Sequence, residues 1–527
     1  MRLSLLLPLL LISFFLSFLV KEVLCIYNFT RNDFPADFVF GAGTSSYQYE
    51  GAVAEDGRTP SIWDTFTHEG GIPDKSTGDI ASDGYHKYKE DAKLMSDVGL
   101  EAYRFSISWS RVLPRLSSYF MFTDGRGTVN PKGLEYYKSV VDEIFERGIK
   151  IHVSLHHLDL PQVLHDEYGG WLSHRIVDDF KEFADLCFRE FGDKVSHWTT
   201  IVEPNVYATA GYDSGLFAPE RCSYPFGLNN CTAGNSTTEP YIAVHNMLLA
   251  HAEVVKLYRT KYQGNQNGKI GLNFYSFWGY PFSNSSVDIK AVQRVFEFQF
   301  GWILNPIVFG DYPEIMRTIC SSRLPNFTTS QIEMLKGSFD FIGLNHYTSA
   351  FVMDNSIILK MYPRDYILDM GANIADGLLM ASLHQFVPTH PQIDPAGYQN
   401  MLEYLKHKYG DPPIYVEENG YGLGVNGSAL NDYARIDFLR QHIGATLEAI
   451  RNGVNVKGYF VWSFVDVFEY LGGYQSRCGL YHVDFDDDLR PRTPKLSAHW
   501  YYSFLKNNSE AFSTERTDLQ NLLHFSQ

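Results

Sequence analysis

The sequence predicts an α/β protein folded as a single (β/α)8 TIM barrel. Short runs of β-branched and aromatic residues recur eight times along the 527-residue chain, and segments with helical periodicity lie between them. Such an alternation within one chain is typical of a closed parallel barrel. Barrels of this kind are the main exception to the rule that a chain this long divides into three or four domains.

The predicted strands are short, and turns or helical segments separate them. They lie at residues 38–41, 102–108, 149–155, 198–202, 269–274, 339–345, 413–416 and 456–463. The clearest apolar periodicities of about 3.6 residues predict helices at residues 85–98, 131–147, 176–191, 239–262 and 433–452. No low-complexity linker or abrupt change of composition divides the chain, which favours one domain over residues 26–527.

Residues 1–25 are predicted to be a secretory signal peptide. An apolar run from Leu3 to Val20 follows Arg2, and the predicted cleavage site lies near Cys25. An uncleaved membrane anchor is the alternative, and no later segment could span a bilayer. A signal peptide directs the chain into the secretory pathway, with the extracellular space (apoplast) and the vacuole both open as destinations.

Entry into the secretory pathway permits disulfides and N-glycosylation. We predict a disulfide between Cys222 and Cys231, the two cysteines that lie close together in the sequence. Sequons require a surface position, and we expect only some of them to be used. The candidate acceptors are Asn28, Asn230, Asn235, Asn284, Asn326, Asn426 and Asn507.

Charge and composition narrow the class of ligand. The formal net charge of −17 opposes binding to nucleic acid and to anionic membranes, which leaves a neutral small molecule as the expected substrate. His156 and His157 are neighbours and point to opposite faces of an extended strand, so they cannot chelate one metal ion together. We predict no metal and no cofactor, and the oligomeric state stays open.

Polar side chains stand at the ends of strand after strand, where a parallel barrel has its active site. Two of them are glutamates: Glu203 ends the fourth strand and Glu418 ends the seventh. Retaining hydrolysis of a glycosidic bond needs two such carboxyl groups about 5 to 5.5 Å apart, one as an acid and one as a nucleophile. The other strand-end residues are Gln48, Arg104, His157, Asn345, Tyr347 and Trp462.

Six motifs then identify a resemblance that extends from Phe34 to Leu505. The chain is similar to plant β-glucosidases of glycoside hydrolase family 1, and the motifs follow in that family's order. They are FVFGAGTSSYQYEG at 38–51, YRFSISWSR at 103–111, HHLDLPQ at 156–162, NHYT at 345–348, EENG at 417–420 and WSFVDVFE at 462–469.

The resemblance implies a role for each matching residue. Glu203 would be the general acid and then the general base, and Glu418 the nucleophile that forms a glycosyl-enzyme. Arg104 and Tyr347 would hold Glu418, with Asn345 in a supporting position. The sugar would contact Gln48, His157, Trp462 and Glu469, with Tyr470 at the border of the pocket.

Several positions depart from the family pattern. Val202 replaces the Asn that donates to the sugar 2-hydroxyl, so slow hydrolysis is expected. Leu158 and Tyr470 stand where aromatic residues, Trp in the second case, are usual. Glu417 replaces a common Thr, and strand alternation predicts that it faces away from Glu418. Residues 116–123 interrupt a usually short turn, as an insertion or a gene-prediction error.

The leading prediction is a retaining β-glucosidase that acts on β-glucosides with apolar or phenolic aglycones. A transglucosidase that uses an acyl-glucose or phenolic glucoside donor is the runner-up, because a glycosyl-enzyme can react with water or with an alcohol. A catalytically inactive glycoside-binding protein is a third hypothesis, which Val202 and the insertion at residues 116–123 motivate.

Overall fold

The computed structural model of the protein describes residues 29–114, 128–375, 393–424 and 430–507. Its centre is a closed barrel of eight parallel strands, which confirms the predicted fold. The strands are β1 (Val39–Gly43), β2 (Ala102–Ser106), β3 (Lys150–His156), β4 (Val195–Ile201), β5 (Lys269–Pro281), β6 (Phe341–Asp354), β7 (Ile414–Asn419) and β8 (Val456–Trp462).

Each strand pairs with its neighbours in chain order, and β1 pairs with β8 to close the barrel. The largest differences from the predicted bounds are in β5 and β6, which continue past the barrel rim as a pair up to Pro281 and Val352. A short strand, Ala372–Ala375, adds to β6 in antiparallel orientation. The remaining short strands are Leu423–Gly424, Ser476–Arg477, Tyr481–Val483 and Arg492–Pro494.

Helices surround the barrel, and the five predicted ones lie within one residue of their predicted ends. The longer helices are Ile62–His68, Gly84–Val98, Pro131–Glu146, Gln162–Tyr168, Arg175–Phe191, Pro204–Tyr212, Glu239–Lys261, Ser286–Phe296, Trp302–Phe309, Glu314–Cys320, Thr329–Leu335, Pro395–Tyr409, Tyr433–Arg451 and Leu496–Leu505. Several begin with the capping that the sequence supplies. Asp394, for example, accepts from the Gly397 N–H, and Pro395 is the first helical residue.

Aromatic rings fill the barrel near the amino-terminal ends of its strands. His152 of β3 stacks on His197 of β4 with 4.0 Å between ring centroids. Tyr415 and Phe460 pack against His152 from β7 and β8. This packed base leaves the carboxyl ends of the strands as the place where side chains can meet a ligand.

Features predicted at the surface lie where the sequence requires them, as far as the structure describes them. Cys222 and Cys231 form a disulfide. The described sequon residues Asn230, Asn235, Asn284, Asn326 and Asn507 are exposed. The signal peptide, Asn28, Asn426 and residues 116–123 lie outside the described residues. Within the described part of the chain, no helix has the length and apolar character to cross a membrane.

Candidate active site

Glu203 and Glu418 both lie at the carboxyl end of the barrel, Glu203 just beyond β4 and Glu418 on β7. Glu203 lies two residues after the end of β4 and has a left-handed backbone with φ of 48°, directly before the helix Pro204–Tyr212. Glu418 is the penultimate residue of β7. Gly420 lets the chain after β7 pass close to β8, because a Cβ there would lie 2.0 Å from the Trp462 carbonyl oxygen.

Glu418 is held through both of its oxygens. Arg104 on β2 donates from Nη1 to Glu418 Oε1 at 2.5 Å, and Tyr347 on β6 donates from its hydroxyl to Oε2 at 2.7 Å. Arg104 is itself fixed by a 3.2 Å bond from Nε to Ser154 Oγ. A buried guanidinium and a phenol therefore fix the orientation of the Glu418 carboxylate, and the guanidinium places a positive charge beside it.

Glu203 has a different environment. Its carboxyl group hydrogen-bonds to Asn345, whose Nδ2 donates to Glu203 Oε1 at 2.7 Å. Although the side chain keeps some exposure, low-dielectric surroundings and the nearby charge of Glu418 raise the pKa of Glu203 to about 8. Glu203 is therefore protonated at neutral pH and can give a proton away.

Asn345 joins the two glutamates. It is the register partner of Glu418 on the adjacent strand, yet its side chain donates to Glu203. Its own Oδ1 accepts from Asn273 Nδ2 at 2.7 Å, which fixes the orientation of the Asn345 amide. Asn273 lies on β5, so three neighbouring strands determine where the Glu203 carboxyl group points.

A second group of polar residues lies beside the glutamate pair. Glu469 accepts from Gln48 Nε2 at 3.2 Å and from Trp462 Nε1 at 3.0 Å. His157 stacks on the Trp462 ring with 5.8 Å between centroids, and burial lowers its pKa so that it is neutral. Burial, and then the charge of Glu418, raises the pKa of Glu469 to about 7.

Aromatic rings form a wall next to this polar group. Tyr470 contacts Trp63 with 4.2 Å between ring centroids and Phe217 with 5.8 Å. The Tyr470 hydroxyl donates to the His157 carbonyl oxygen at 3.1 Å. The hydroxyl is thus committed to the backbone, and the ring remains as an apolar surface.

The ten polar and aromatic residues predicted from the sequence thus gather at one end of the barrel. Glu417 is where the prediction was wrong: it is fully buried and lies 3.6 Å from Arg104 Nε instead of facing outward. Alternation fails because β7 contains an irregularity, since Leu344 pairs with Val416 but Asn345 pairs with Glu418. The extra residue turns Glu417 into the barrel as well.

Two further residues of the site were not predicted. Asn273 and Thr199 contact the Glu417 carboxylate, the first from β5 and the second from β4. Both are polar residues inside predicted strands. A signal existed, because buried side-chain amides and hydroxyls need partners, but the sequence does not say which neighbouring strand supplies them.

Two departures from the family pattern are also buried here. Val202 is fully buried directly before Glu203, and its N–H donates to the His156 carbonyl oxygen at 3.0 Å. Leu158 is buried beside His157 and has a left-handed backbone with φ of 69°. Neither side chain can donate a hydrogen bond to a ligand.

Comparison with known proteins gives a consistent picture. A family model described as "Glycosyl hydrolase family 1" matches residues 30–510. The rice protein "Beta-glucosidase 22" is 62% identical over 480 residues, covering 91% of this chain and 88% of that protein. A "Cyanidin 3-O-glucoside 7-O-glucosyltransferase (acyl-glucose)" from Delphinium grandiflorum is 53% identical over 485 residues, covering 92% of each chain.

Solved structures agree with the sequence relatives. The rice Os3BGlu6 β-glucosidase superimposes with a TM-score of 0.83 at 42% identity, covering 90% of this chain and 99% of the other. A mutant of the same rice enzyme, solved in a covalent complex with Glc, has the same TM-score, identity and coverage.

Proposed function

The chain belongs to glycosyl hydrolase family 1 and is a glycosyl hydrolase of the β-glucosidase type, and we propose that Glu203 and Glu418 perform a retaining double displacement. In the first step Glu418 attacks the anomeric carbon while Glu203 gives its proton to the leaving oxygen. In the second step Glu203 takes a proton from the incoming water or alcohol, which displaces Glu418 from the sugar.

The observation that carries this assignment is the contrast between the two carboxyl environments. Arg104 and Tyr347 hold Glu418 through both oxygens, which suits an ionised nucleophile. Glu203 has no cationic hydrogen-bond partner among the described residues, and its pKa is raised to about 8, which suits an acid. Exchanging the two roles would require a proton on the carboxylate that is paired with Arg104.

The sugar is proposed to lie over Trp462, with its hydroxyls on Gln48, His157 and Glu469. Glu469 supports the proposal because its carboxylate keeps acceptor capacity beyond its bonds with Gln48 and Trp462. A ring face such as that of Trp462 suits the C–H face of a glucose unit.

The aglycone is proposed to be apolar or phenolic. Support comes from the aromatic wall of Trp63, Phe217 and Tyr470, since the Tyr470 hydroxyl is already used by the backbone. Flat aryl groups stack well on such rings.

A transglucosidase is the second candidate, and two observations favour it. Val202 offers no donor where a 2-hydroxyl contact would speed attack by water. A relative with 53% identity is named as an acyl-glucose-dependent glucosyltransferase. In that case an acceptor alcohol, held by the aromatic wall, would take the glucosyl group from Glu418 in place of water.

The secretory pathway is the proposed location. Support comes from the Cys222–Cys231 disulfide, which forms in oxidising compartments, and from the exposed sequon residues. Enzymatic removal of N-glycans from the protein isolated from its native tissue should increase its mobility on a gel, and an unchanged mobility would contradict this location.

The test of the mechanism is covalent trapping. Incubation with 2-deoxy-2-fluoro-β-glucosyl fluoride should add one fluoroglucosyl group to the peptide that carries Glu418, as read by mass spectrometry, and Glu418→Ala should prevent it. Product analysis with an aryl β-glucoside, with and without a phenolic acceptor, separates the hydrolase from the transglucosidase. Absence of both adduct and turnover would leave only a glycoside-binding protein.

A further inference from the structure

Glu417 is a buried carboxylate directly beneath the two proposed catalytic glutamates. Its Oε1 accepts from Thr199 Oγ1 at 2.5 Å and its Oε2 accepts from Asn273 Nδ2 at 2.9 Å. Burial raises its pKa, while the charge of Arg104 acts in the opposite direction. A carboxyl group in such a place needs a reason, because burying it is costly unless its partners are well placed.

The barrel makes room for this carboxylate at one glycine. A Cβ on Gly343 of β6 would lie 2.6 Å from Glu417 Oε2 and 3.0 Å from Asn273 Cβ. Gly343 pairs in register with Asn273 on one side and Tyr415 on the other. Any larger residue there would displace the Glu417 carboxylate from Asn273.

The contacts of Asn273 continue to Glu203. Asn273 Nδ2 donates one hydrogen to Glu417 Oε2 and the other to Asn345 Oδ1. Because Asn345 accepts through Oδ1, its Nδ2 is the group that reaches Glu203 Oε1. The acceptor at Glu417 therefore fixes the direction of both amides, and leaves Oε2 of Glu203 as the oxygen that carries the proton.

A second path from Glu417 leads to Arg104, and the distances decide between the two. Glu417 Oε2 lies 3.6 Å from Arg104 Nε, which is beyond hydrogen-bond range, and Arg104 already has Ser154 and Glu418 as partners. The path through Asn273 has three hydrogen bonds of 2.9, 2.7 and 2.7 Å. The amide path is the one that transmits orientation.

We propose that Glu417 is a positioning residue for general acid catalysis, acting through Asn273 and Asn345 on the carboxyl group of Glu203. This inference rests on the proposed role of Glu203. What the relay needs at position 417 is a hydrogen-bond acceptor that faces Asn273, and the negative charge of Glu417 is secondary. A loss of the relay should therefore harm substrates that need a proton on the leaving group, and spare those that do not.

The experiment compares kcat/KM for methyl β-glucoside, a poor leaving group, and 2,4-dinitrophenyl β-glucoside, a good one. Glu417→Leu and Asn273→Leu should each lower the value for the methyl glucoside by roughly 10-fold or more and that for the dinitrophenyl glucoside by less than about 3-fold. The double variant should be no worse than either single variant. Glu417→Gln keeps an acceptor for Asn273 and should stay within about 3-fold of the wild type on both substrates.

Gly343→Ala provides a second route that keeps every charge in place, and it should show the same leaving-group dependence as Glu417→Leu. Asp369→Asn is the matched control, because Asp369 is another buried carboxylate and pairs with Arg323 and Arg364 away from the site. Even if it lowers the melting temperature, it should change kcat/KM by the same factor for the two substrates, or not at all.

Three results would overturn the inference. Equal loss on both substrates in Glu417→Leu and Asn273→Leu would mean a structural role only. If Glu417→Gln lowers kcat/KM as much as Glu417→Leu does, the negative charge of Glu417 acts through Arg104 instead. If Gly343→Ala folds and has wild-type kinetics, the contact between Glu417 and Asn273 does not control Glu203. Glu203→Gln, measured in parallel, separates the proposals: if it lacks the leaving-group dependence, the proposed role of Glu203 fails first.

Discussion

Tyr347 donates its hydroxyl to Glu418 Oε2 at 2.7 Å and thereby occupies the oxygen that Arg104 leaves free. The phenol keeps its proton, because burial and the charge of Glu418 raise the pKa of Tyr347 far above its usual range. It can therefore restrain the carboxylate in every turnover. In the proposed mechanism one of the two oxygens must be released when Glu418 bonds to the sugar, and the neutral phenol is the weaker partner.

Tyr347→Phe removes this restraint and leaves Arg104 in place. We expect kcat/KM to fall roughly 10-fold for both good and poor leaving groups, because orientation of the nucleophile affects the attack itself. Steady-state kinetics with the two leaving groups measures this. A loss confined to poor leaving groups would contradict it, since that pattern belongs to the acid.

The pH dependence of kcat/KM should have a basic limb set by Glu203. Its pKa is raised to about 8 by burial and by Glu418, and proton donation requires the protonated form. Activity on an aryl glucoside with a poor leaving group should therefore fall as the pH rises through about 8. Glu203→Gln cannot titrate at this position, so a limb that persists in that variant would have to be assigned to another group.

The contribution of Glu203 to the stability of the fold should also depend on pH. The folded-state pKa of Glu203 and of Glu469, about 8 and about 7, lie above the ordinary value of 4.5. Between pH 4.5 and 8 these two carboxyl groups thus bind more protons in the folded chain than in the unfolded chain, and their contribution to stability decreases as the pH rises. Glu203→Gln removes one of these contributions.

Melting temperatures of the wild type and Glu203→Gln, measured at pH 5 and pH 8, check this expectation. From pH 5 to pH 8 the melting temperature of the variant should rise by about 1–3 °C relative to that of the wild type, because only the wild type has a carboxyl group at this buried position that ionises. An equal difference at both pH values would show that Glu203 does not titrate within this window.

The strand-end glutamates could be predicted because parallel strands in a barrel all present their carboxyl ends to one face. Glu203 and Glu418 are far apart in sequence, but each stands at the end of a strand-like run, directly after Val202 in one case and after Glu417 in the other, and precedes a turn. Two facts then determine their neighbourhood: strand order and the residue types that follow each strand. This physical regularity gave the site without any knowledge of side-chain geometry.

The floor of the site could not be predicted in the same way. The face to which Glu417 points depends on an irregularity in β7, which a rule of strict alternation omits. The contact between Asn273 and Asn345 depends on register between β5 and β6, and a one-residue shift would have separated them. The extensions of β5 and β6 beyond the barrel depend likewise on their pairing with each other.

The Cys222–Cys231 disulfide is predicted to support the aromatic wall. The loop that carries Phe217, which contacts Tyr470, leads directly into the disulfide-bonded segment. A disulfide that closes a loop this short reduces the conformational entropy of the unfolded chain, which stabilises the folded protein by roughly 2–3 kcal/mol. In a double Cys→Ser variant we expect KM for aryl glucosides to rise severalfold with little change in kcat.

Limited proteolysis should find new cleavage between residues 213 and 238 in that variant. Cys320→Ser provides a control, because Cys320 is a buried free cysteine and its loss should affect neither KM nor the cleavage pattern. A fall in kcat without a change in KM would mean that the disulfide acts on the catalytic pair.

Val202→Asn addresses the fate of the glycosyl-enzyme. Val202 is fully buried beside Glu203 and has no donor, so in the proposed mechanism attack by water would lack a contact that strengthens in the transition state. An Asn would supply that donor to the sugar 2-hydroxyl. We expect hydrolysis of an aryl glucoside to rise by roughly 10-fold, and the ratio of transfer product to free glucose to fall with a phenolic acceptor present.

Val202→Leu is the matched control, since it changes the volume at this position without adding a donor. If Leu and Asn raise hydrolysis equally, the gain comes from shape and the 2-hydroxyl argument is wrong. If Asn leaves both hydrolysis and the transfer ratio unchanged, position 202 does not determine whether water or an alcohol reacts. The aromatic wall, which would hold an acceptor, is then the next region to test. The melting temperature of the Asn variant should fall, because its amide has no protein partner assured in the free enzyme.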